Sequence, residues 1–224
     1  MDEQMKPYLI IGAIVVAVLI ISLSIIFGIF FHRRKIKKLG VKGEKKVASV
    51  LGKYALLNHC KVINNIFLPL YDKTTQIDHI LIGYFGVLVV ETKNMKGEIY
   101  GNPSDKEWTQ ILGDKKHKFY NPMKQNQTHI DNIRYVFNKE NIYNIQLESL
   151  VVFADPTTSV YIPRGLPVVG IKKLKKFLKQ PKLKKDNGVD VDKIYNAIMK
   201  HAVTDKQLIA DHNKNVKKMA KDNH

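Results

Sequence analysis

The chain contains one cysteine, Cys60, among 224 residues. A lone cysteine excludes an internal disulfide and any zinc site built from several cysteines, and it is typical of a reducing compartment. Three further signatures of chemistry are missing: a glycine-rich phosphate loop, a metal-type Cys/His spacing and a serine nucleophile elbow. These absences remove nucleotide-binding, zinc-finger and serine-hydrolase motifs from consideration.

Acidic residues are scarce, with 20 Asp and Glu against 37 Lys and Arg, for a net charge of +17. The excess continues to the C-terminus, where residues 171–224 carry 15 lysines against 6 acidic residues. A basic balance favours a phosphate-bearing partner, either nucleic acid or anionic lipid. A solvated lysine-rich face is the alternative. Because lysine outnumbers arginine, base-specific readout through arginine forks is not expected.

One long hydrophobic run is present, the 24 uncharged residues 8–31. Its length exceeds the roughly 20 residues that cross a bilayer as a helix, and it is too long for the apolar part of a signal peptide. The basic residues that follow place the remainder of the chain in the cytoplasm by the positive-inside rule. We therefore predict a short extracytoplasmic segment 1–7, a single-pass transmembrane helix 8–31 at the cell membrane and a basic neck 32–41. A buried core helix is the alternative for the run.

Residues 76–94 contain the most informative pattern, two apolar β-branched strands around a Gly-Tyr-Phe-Gly turn, which predicts a hairpin. Asp78, Glu91 and Lys93 lie inside these strands, although charged side chains are seldom buried unless paired. If Gly83 faces Gly86, Asp78 faces Glu91, and Lys93 shares their side because side chains alternate along a strand. A register shift of one residue would turn Asp78 to the other face.

Two adjacent carboxylates need a shared proton, an ammonium or a divalent cation between them. Mg²⁺ or Mn²⁺ suits Asp78 and Glu91, because these ions accept one or two carboxylates together with water and phosphate oxygens. Such an ion activates water toward a phosphodiester, and Lys93 would orient that water or offset developing charge. A structural ion pair between Lys93 and Glu91 is the alternative.

Two predicted helices flank the hairpin in sequence. Apolar positions at helical spacing predict the first helix over 42–55, with Glu44 at the edge of the apolar stripe. That position suits a site residue or a glutamate favoured by the helix dipole. The pair Asn121-Pro122 predicts the start of a helix over 122–138. Gln125 and His129 share its apolar face. We expect Gln125 to be functional and His129 to be packed or phosphate-facing rather than a ligand.

These residues resemble the D…(D/E)-x-K core of the restriction-endonuclease-like nuclease superfamily, and the wider context is similar to its nuclease-related domain, NERD. The resemblance covers roughly residues 40–140, and no proline precedes Asp78 as the superfamily's usual motif would have it. The matching pieces, in chain order, are Gly43-Glu44, Gln76-Ile77-Asp78-His79, Val90-Glu91-Thr92-Lys93-Asn94, Gly97, Trp108, Asn121-Pro122 and Gln125.

The resemblance implies an α/β fold, a restriction-endonuclease-like core with a mixed central sheet flanked by helices, here preceded by the transmembrane helix. It also implies Mg²⁺ (or Mn²⁺) on Asp78, Glu91 and Glu44, and catalytic roles for Asp78, Glu91 and Lys93 with Gln125 in support. The nuclease-related domain is expected over 42–154, and a lysine-rich, mostly helical extension over 155–224.

The sequence thus predicts a membrane-anchored, metal-dependent nuclease that hydrolyses nucleic acid, with DNA favoured over RNA as its partner, and that uses no small-molecule cofactor. The alternative is a catalytically weak module that binds nucleic acid or an anionic membrane. Outside the hairpin, strands are expected near 60–68, 97–101 and 148–154 and at 168–169, an irregular stretch around Trp108, and helices near 171–179, 190–202 and at the C-terminus.

Overall fold

The computed structural model describes residues 6–70 and 73–222, so most of the predicted segment 1–7 lies outside the described residues. The boundary between two compact units falls between Lys42 and Gly43. The elements in chain order are α1 (Lys6–Leu57), β1 (Lys61–Leu70), β2 (Lys73–Gly83), β3 (Gly86–Lys93), β4 (Glu98–Tyr100), β5 (Glu107–Leu112), β6 (Lys115–Tyr120), α2 (Pro122–Lys139), β7 (Leu147–Phe153), β8 (Ser159–Tyr161), β9 (Val168–Gly170), α3 (Ile171–Phe177), a 3₁₀ turn (Pro181–Leu183), α4 (Val191–Lys200) and α5 (Lys206–Asp222).

The prediction of a transmembrane helix over 8–31 is not supported. Among the described residues, none of the helices combines the length and the apolar character needed to cross a membrane. Helix α1 runs from Lys6 to Leu57, through the segments predicted as an apolar helix, a neck and a helix over 42–55.

A five-stranded mixed sheet forms the centre of the second unit, in the order β1-β2-β3-β7-β9. The pairs β1–β2 and β2–β3 are antiparallel, while β7 is parallel to both β3 and β9. The predicted hairpin register is confirmed at its turn, where Gly83 faces Gly86 and Ile82 faces Val87. The α/β fold with a mixed sheet flanked by helices is therefore confirmed.

Both faces of this sheet are covered by helices, which explains why β3 and β7 read as nearly continuous apolar runs. Residues of β3 alternate between the faces: Val87 and Val89 pack with α2 and α4, whereas Leu88 and Val90 pack with α1 and α3. Glu91 and Lys93 follow Val87 and Val89 at every second position, so they point to the same side of the sheet, toward α2. The fold thus turns the two charged residues of β3 toward the helix that carries Gln125.

A second sheet of four strands has the order β6-β5-β4-β8. The irregular stretch predicted around Trp108 is wrong, because this region forms the hairpin of β5 and β6. Its pattern is weak in the sequence, since only Trp108 and Phe119 supply large apolar side chains to the core beneath. Polar residues occupy most of the remaining positions of both strands.

The segment after residue 154 contributes to both sheets and to the core. Strand β8 pairs with β4, and β9 pairs with β7. Helix α4 places Ile194 and Ile198 in the core beside α2. The short strand predicted at 168–169 is confirmed, whereas β8 was not foreseen because three residues carry too little periodicity.

Candidate active site

The site begins where β2 and β3 separate. Their ladder ends at the pair His79–Val90, so the predicted pair Asp78–Glu91 lies beyond it. On its other side the β1–β2 register omits Asp78, and the facing residue, Asn65, has a φ of 53°. Asparagine is among the residues that tolerate this left-handed conformation. Asp78 is thus left out of both ladders at the point where the central sheet opens.

The Asp78 carboxylate crosses this gap and replaces the missing ladder contact. Its Oδ2 accepts a hydrogen bond from the backbone N–H of Thr92 at 2.8 Å. Burial, together with the nearby charge of Glu91, raises the pKa of Asp78 well above its usual range, although the Thr92 bond and Lys93 oppose the rise. The carboxyl group is therefore held in place by the backbone, and its ionised form is costly without a cation.

Glu91 is almost completely buried, with 2% of the residue exposed. Its Oε1 lies 2.9 Å from Lys93 Nζ, and its Oε2 lies 3.3 Å from His129 Nε2. Burial pushes the pKa of Glu91 upward, but Lys93 and His129 outweigh that effect and lower it. Glu91 is therefore a carboxylate in the folded protein.

Lys93 connects the sheet to α2. Its Nζ donates to Gln125 Oε1 at 2.8 Å in addition to its contact with Glu91. Gln125 occupies the first turn of α2, which begins as predicted with Asn121, whose side chain accepts from the N–H of Met123. An ammonium has three hydrogens, and two are directed at these oxygens. Since the described residues supply these two acceptors, the third hydrogen of Lys93 can bind a water or phosphate oxygen.

Glu44 approaches the carboxylates from α1, and Gly43 permits that approach. A Cβ on Gly43 would lie 2.5 Å from Cβ of Asn94 and 3.2 Å from Cβ of Ala154. Burial raises the pKa of Glu44, and the charge of Glu91 raises it further. Glu44 also raises the pKa of Asp78, so three carboxyl groups repel one another across the site.

These carboxylates supply some, but not all, of the ligands of a divalent cation. In the described part of the chain, no group of three or more His, Cys, Asp or Glu has the arrangement of a complete metal site. Mg²⁺, however, needs only one or two carboxylates, with water and phosphate oxygens as the other ligands. Glu91 Oε2 is buried and has no hydrogen-bond partner among the described residues, although His129 Nε2 lies 3.3 Å from it. That open oxygen and the mutual repulsion suit a cation held by Asp78 and Glu91.

The residues singled out in the sequence meet in one place. Lys93 contacts Glu91 and Gln125 directly, while Asp78 and Glu44 are close enough to Glu91 for its charge to act on them. His129 was expected to be packed or phosphate-facing, and it is buried against Glu91 with its Nδ1 3.1 Å from Thr75 Oγ1. The step of four from Gln125 to His129 places both side chains on the same face of α2.

The role of the Thr92 backbone N–H was not foreseen, because a main-chain donor leaves no trace in the residue type. It belongs to the strand that carries Glu91 and Lys93, and it fixes the carboxylate of Asp78 beside them. Thr92 therefore lies between Glu91 and Lys93 in β3, and its N–H also positions Asp78.

Comparisons with known proteins found a matching family model and a similar protein. The family model described as nuclease-related domain (NERD) matches residues 39–154, which is about half of the chain. An uncharacterized protein of Bacillus anthracis is 42% identical over 101 residues, covering 45% of this chain and 48% of the relative. The chain thus spans about half the length of the relative it matches. No solved structure matches this chain.

Proposed function

Because the chain belongs to the nuclease-related domain family, we propose that it is a metal-dependent nuclease that hydrolyses phosphodiester bonds of nucleic acid, DNA rather than RNA. The observation that carries the proposal is the contact of Lys93 Nζ with Glu91 Oε1 and Gln125 Oε1, next to the Asp78 carboxyl group. A buried ion pair by itself adds little stability, so a purely structural reason for this cluster is weak.

Asp78 and Glu91 would hold Mg²⁺ or Mn²⁺, with Glu44 beside them. Such an ion, when bound, polarises a phosphodiester oxygen and lowers the pKa of a water molecule. Asp78 is positioned for this by the Thr92 N–H, and Glu91 stays ionised because Lys93 and His129 lower its pKa. The two carboxylates therefore supply negative charge where their own repulsion favours a cation.

Lys93 supplies the positive charge that the reaction needs. The attacking water adds to phosphorus, its proton leaves to solvent or a nearby base, and the P–O bond to the leaving strand breaks. The free hydrogen of the Lys93 ammonium is available to orient that water or to stabilise the charged phosphorane. Gln125 accepts a hydrogen bond from the ammonium, so it acts as a positioning residue.

The test incubates the full-length protein with single- and double-stranded DNA and RNA, in Mg²⁺, Mn²⁺ or EDTA, and measures cleavage. We expect metal-dependent cleavage that falls at least about 100-fold in Asp78→Asn and Lys93→Met. Asp131→Asn and Lys182→Met are matched controls, because they remove the same charges from exposed residues of two other ion pairs, Arg134–Asp131 and Lys182–Glu148. The proposal fails if cleavage is absent in every metal, or if the two site variants cleave like the controls.

A second candidate is a module that binds nucleic acid or anionic lipid without cleaving it. The observation in its favour is the surface of α3, whose lysines 172, 173, 175 and 176 are all exposed. Binding of this kind weakens steeply with salt and does not require a divalent metal. Salt-sensitive, metal-independent binding that Asp78→Asn leaves unchanged, with no cleavage, would favour this candidate.

We also propose that residues 8–31 attach the chain to the cell membrane, with the nuclease-related domain on the cytoplasmic side. The support is the uncharged run itself and the basic residues that follow it in the sequence. Basic residues next to an anionic leaflet each add about 1 kcal/mol of attraction. Membrane fractions washed with high salt and then with alkaline carbonate test the proposal, which fails if the salt wash releases the chain.

A further inference from the structure

The four-stranded sheet has one face turned away from the core. Ile99, Trp108, Phe119 and Val160 cover the core beneath the sheet. Their strand neighbours therefore point outward. The register aligns one outward row across all four strands, in the order Tyr161, Tyr100, Thr109 and Lys118.

Two tyrosines on this face stack on each other. The rings of Tyr100 and Tyr161 are 4.8 Å apart with an interplanar angle of 11°, and the residues remain 39% and 50% exposed. Tyr100 is held in position because its hydroxyl donates to Glu98 Oε2 at 2.7 Å. Tyr120, 44% exposed, lies on the same face of β6 as Lys118. Together, Tyr100, Tyr120, Tyr161, Lys116 and Lys118 are called the tyrosine face.

The charges on this face are arranged by strand. Glu98 and Glu107 lie on the inner strands β4 and β5, whereas Lys116 and Lys118 lie on the edge strand β6 and are exposed. Neighbouring strands are about 4.8 Å apart, so the lysines lie roughly 10 to 15 Å from the tyrosine stack. Flat aromatic rings beside a line of cations match the bases and phosphates of an unpaired strand.

The sheet that carries the tyrosine face is connected along the chain to the candidate active site at two strands, β4 and β6. Residues 94–97 are all that separates Lys93 from β4, and β6 ends at Tyr120, directly before the Asn121 cap of α2. The strand that follows the proposed lysine and the strand that precedes the Gln125 helix therefore both belong to this sheet.

We propose that the tyrosine face binds an unpaired nucleic-acid strand, with bases stacked on Tyr100 and Tyr161 and phosphates on Lys116 and Lys118. The binding depends only on the face, while its use in delivering substrate to Asp78, Glu91 and Lys93 rests on the proposed nuclease function. Strand β8 is an edge of the sheet that the described residues form, so an incoming base can extend the existing stack beyond the Tyr161 ring. A duplex hides its base faces and is expected to bind more weakly.

The experiment measures binding of the full chain, in EDTA, to a single-stranded oligonucleotide that carries 2-aminopurine. Anisotropy reports affinity, and quenching of 2-aminopurine reports stacking. We expect Tyr161→Ala and Tyr100→Ala to weaken binding about 10-fold and to relieve the quenching, as loss of one base-stacking contact predicts. Tyr161→Phe should keep both signals, because it retains the ring.

Tyr143→Ala is the matched control, since Tyr143 is an exposed tyrosine outside both sheets. The proposal is overturned if the alanine variants at 161 and 100 bind and quench like wild type. It is also overturned if Tyr161→Ala changes only self-association, because the face would then contact a second copy of the chain. Cleavage assays on the same variants separate the two proposals: tyrosine-dependent binding without cleavage rejects the nuclease, and cleavage without tyrosine-dependent binding rejects the tyrosine face.

Discussion

The Lys93 ammonium lies 2.9 Å from the carboxylate of Glu91, whose side chain is 3% exposed. Glu91 therefore depends on this cation for its charge, while Lys93 itself is still 23% exposed. Removing the partner of a buried carboxylate costs more stability than the intact ion pair contributes. The ion pair is thus a sensitive point for stability as well as for the proposed chemistry.

We expect Lys93→Met to lower the free energy of unfolding by about 2 kcal/mol, less than for a fully buried pair because the lysine is partly exposed. Adding Glu91→Gln should recover about 1 kcal/mol, since the uncompensated charge is removed. Urea unfolding of the single and double variants measures both values. Strictly additive effects would contradict the dependence of Glu91 on Lys93.

Asp78→Asn is expected to stabilise the metal-free protein at neutral pH while abolishing cleavage. Because the pKa of Asp78 is raised in the folded state, its stabilising contribution is present below the ordinary value of 3.8 and is lost as pH rises through the raised pKa. Asparagine keeps an acceptor for the Thr92 N–H and removes the repulsion from Glu91 and Glu44. The gain should be on the order of 1 kcal/mol, or about 2–4 °C in Tm.

Thermal melts in EDTA at pH 7 and at pH 4 check this prediction. The advantage of Asp78→Asn over wild type should shrink at the lower pH, whereas Asp131→Asn should show no such change. Adding Mg²⁺ should then raise the Tm of wild type but not of Asp78→Asn, because a ligand stabilises only the folded state that binds it. An Asn variant that is less stable than wild type at pH 7 would count against the repulsion among the carboxyl groups.

Gln125 is expected to act through Lys93 rather than on the substrate. Gln125→Ala removes one of the two oxygens that hold the ammonium, so kcat should fall about 10-fold with little change in KM. Gln125→Glu should restore part of the rate, because it returns an acceptor at the same place. Gln127→Ala is the control on the same helix, since its exposed side chain bonds only Asp131 among the described residues. A rise in KM alone would assign Gln125 to substrate binding instead.

His79 gives the fold a pH dependence of the opposite sign to Asp78. Burial lowers the pKa of His79 to about 4 from 6.5, with Glu91 opposing part of the shift. The unfolded chain therefore binds the additional proton between pH 6.5 and pH 4, and stability is lost as pH falls through this window. The loss can reach about 3 kcal/mol.

Urea unfolding of wild type and His79→Gln at pH 7 and pH 5 tests this effect. Glutamine retains a polar partner for Asn64 Oδ1, which lies 2.7 Å from His79 Nδ1. Wild type should lose more stability than the variant on acidification, while the exposed His117→Gln variant should follow wild type. Equal losses of stability in wild type and His79→Gln would show that another group controls the loss of stability at low pH.

Local patterns predicted the parts of the site that lie on one hairpin. Glu91 and Lys93 share a face because side chains alternate with a period of two, and Gly83 and Gly86 fix the turn. The hairpin of β5 and β6 was not predicted, because few of its inward positions are large and apolar. The contact between His129 and Glu91 depends on how α2 packs across the sheet, which no local period specifies.

Gly43 shows the same limit at a single position, and its substitution is expected to have the reverse of the usual sign. Replacing a helical glycine by alanine normally stabilises by about 0.5–1 kcal/mol. At Gly43 the new Cβ would lie 2.5 Å from Cβ of Asn94, so we expect the free energy of unfolding to fall by about 1–3 kcal/mol from overpacking.

Gly52→Ala is the matched control in the same helix, because a Cβ there meets nothing within 4 Å. Thermal melts should move in opposite directions for the two variants, and the Gly43 variant should also lose activity as Glu44 is displaced. Stabilisation by both would show that α1 can withdraw from the end of β3, and that Gly43 does not set the approach of Glu44.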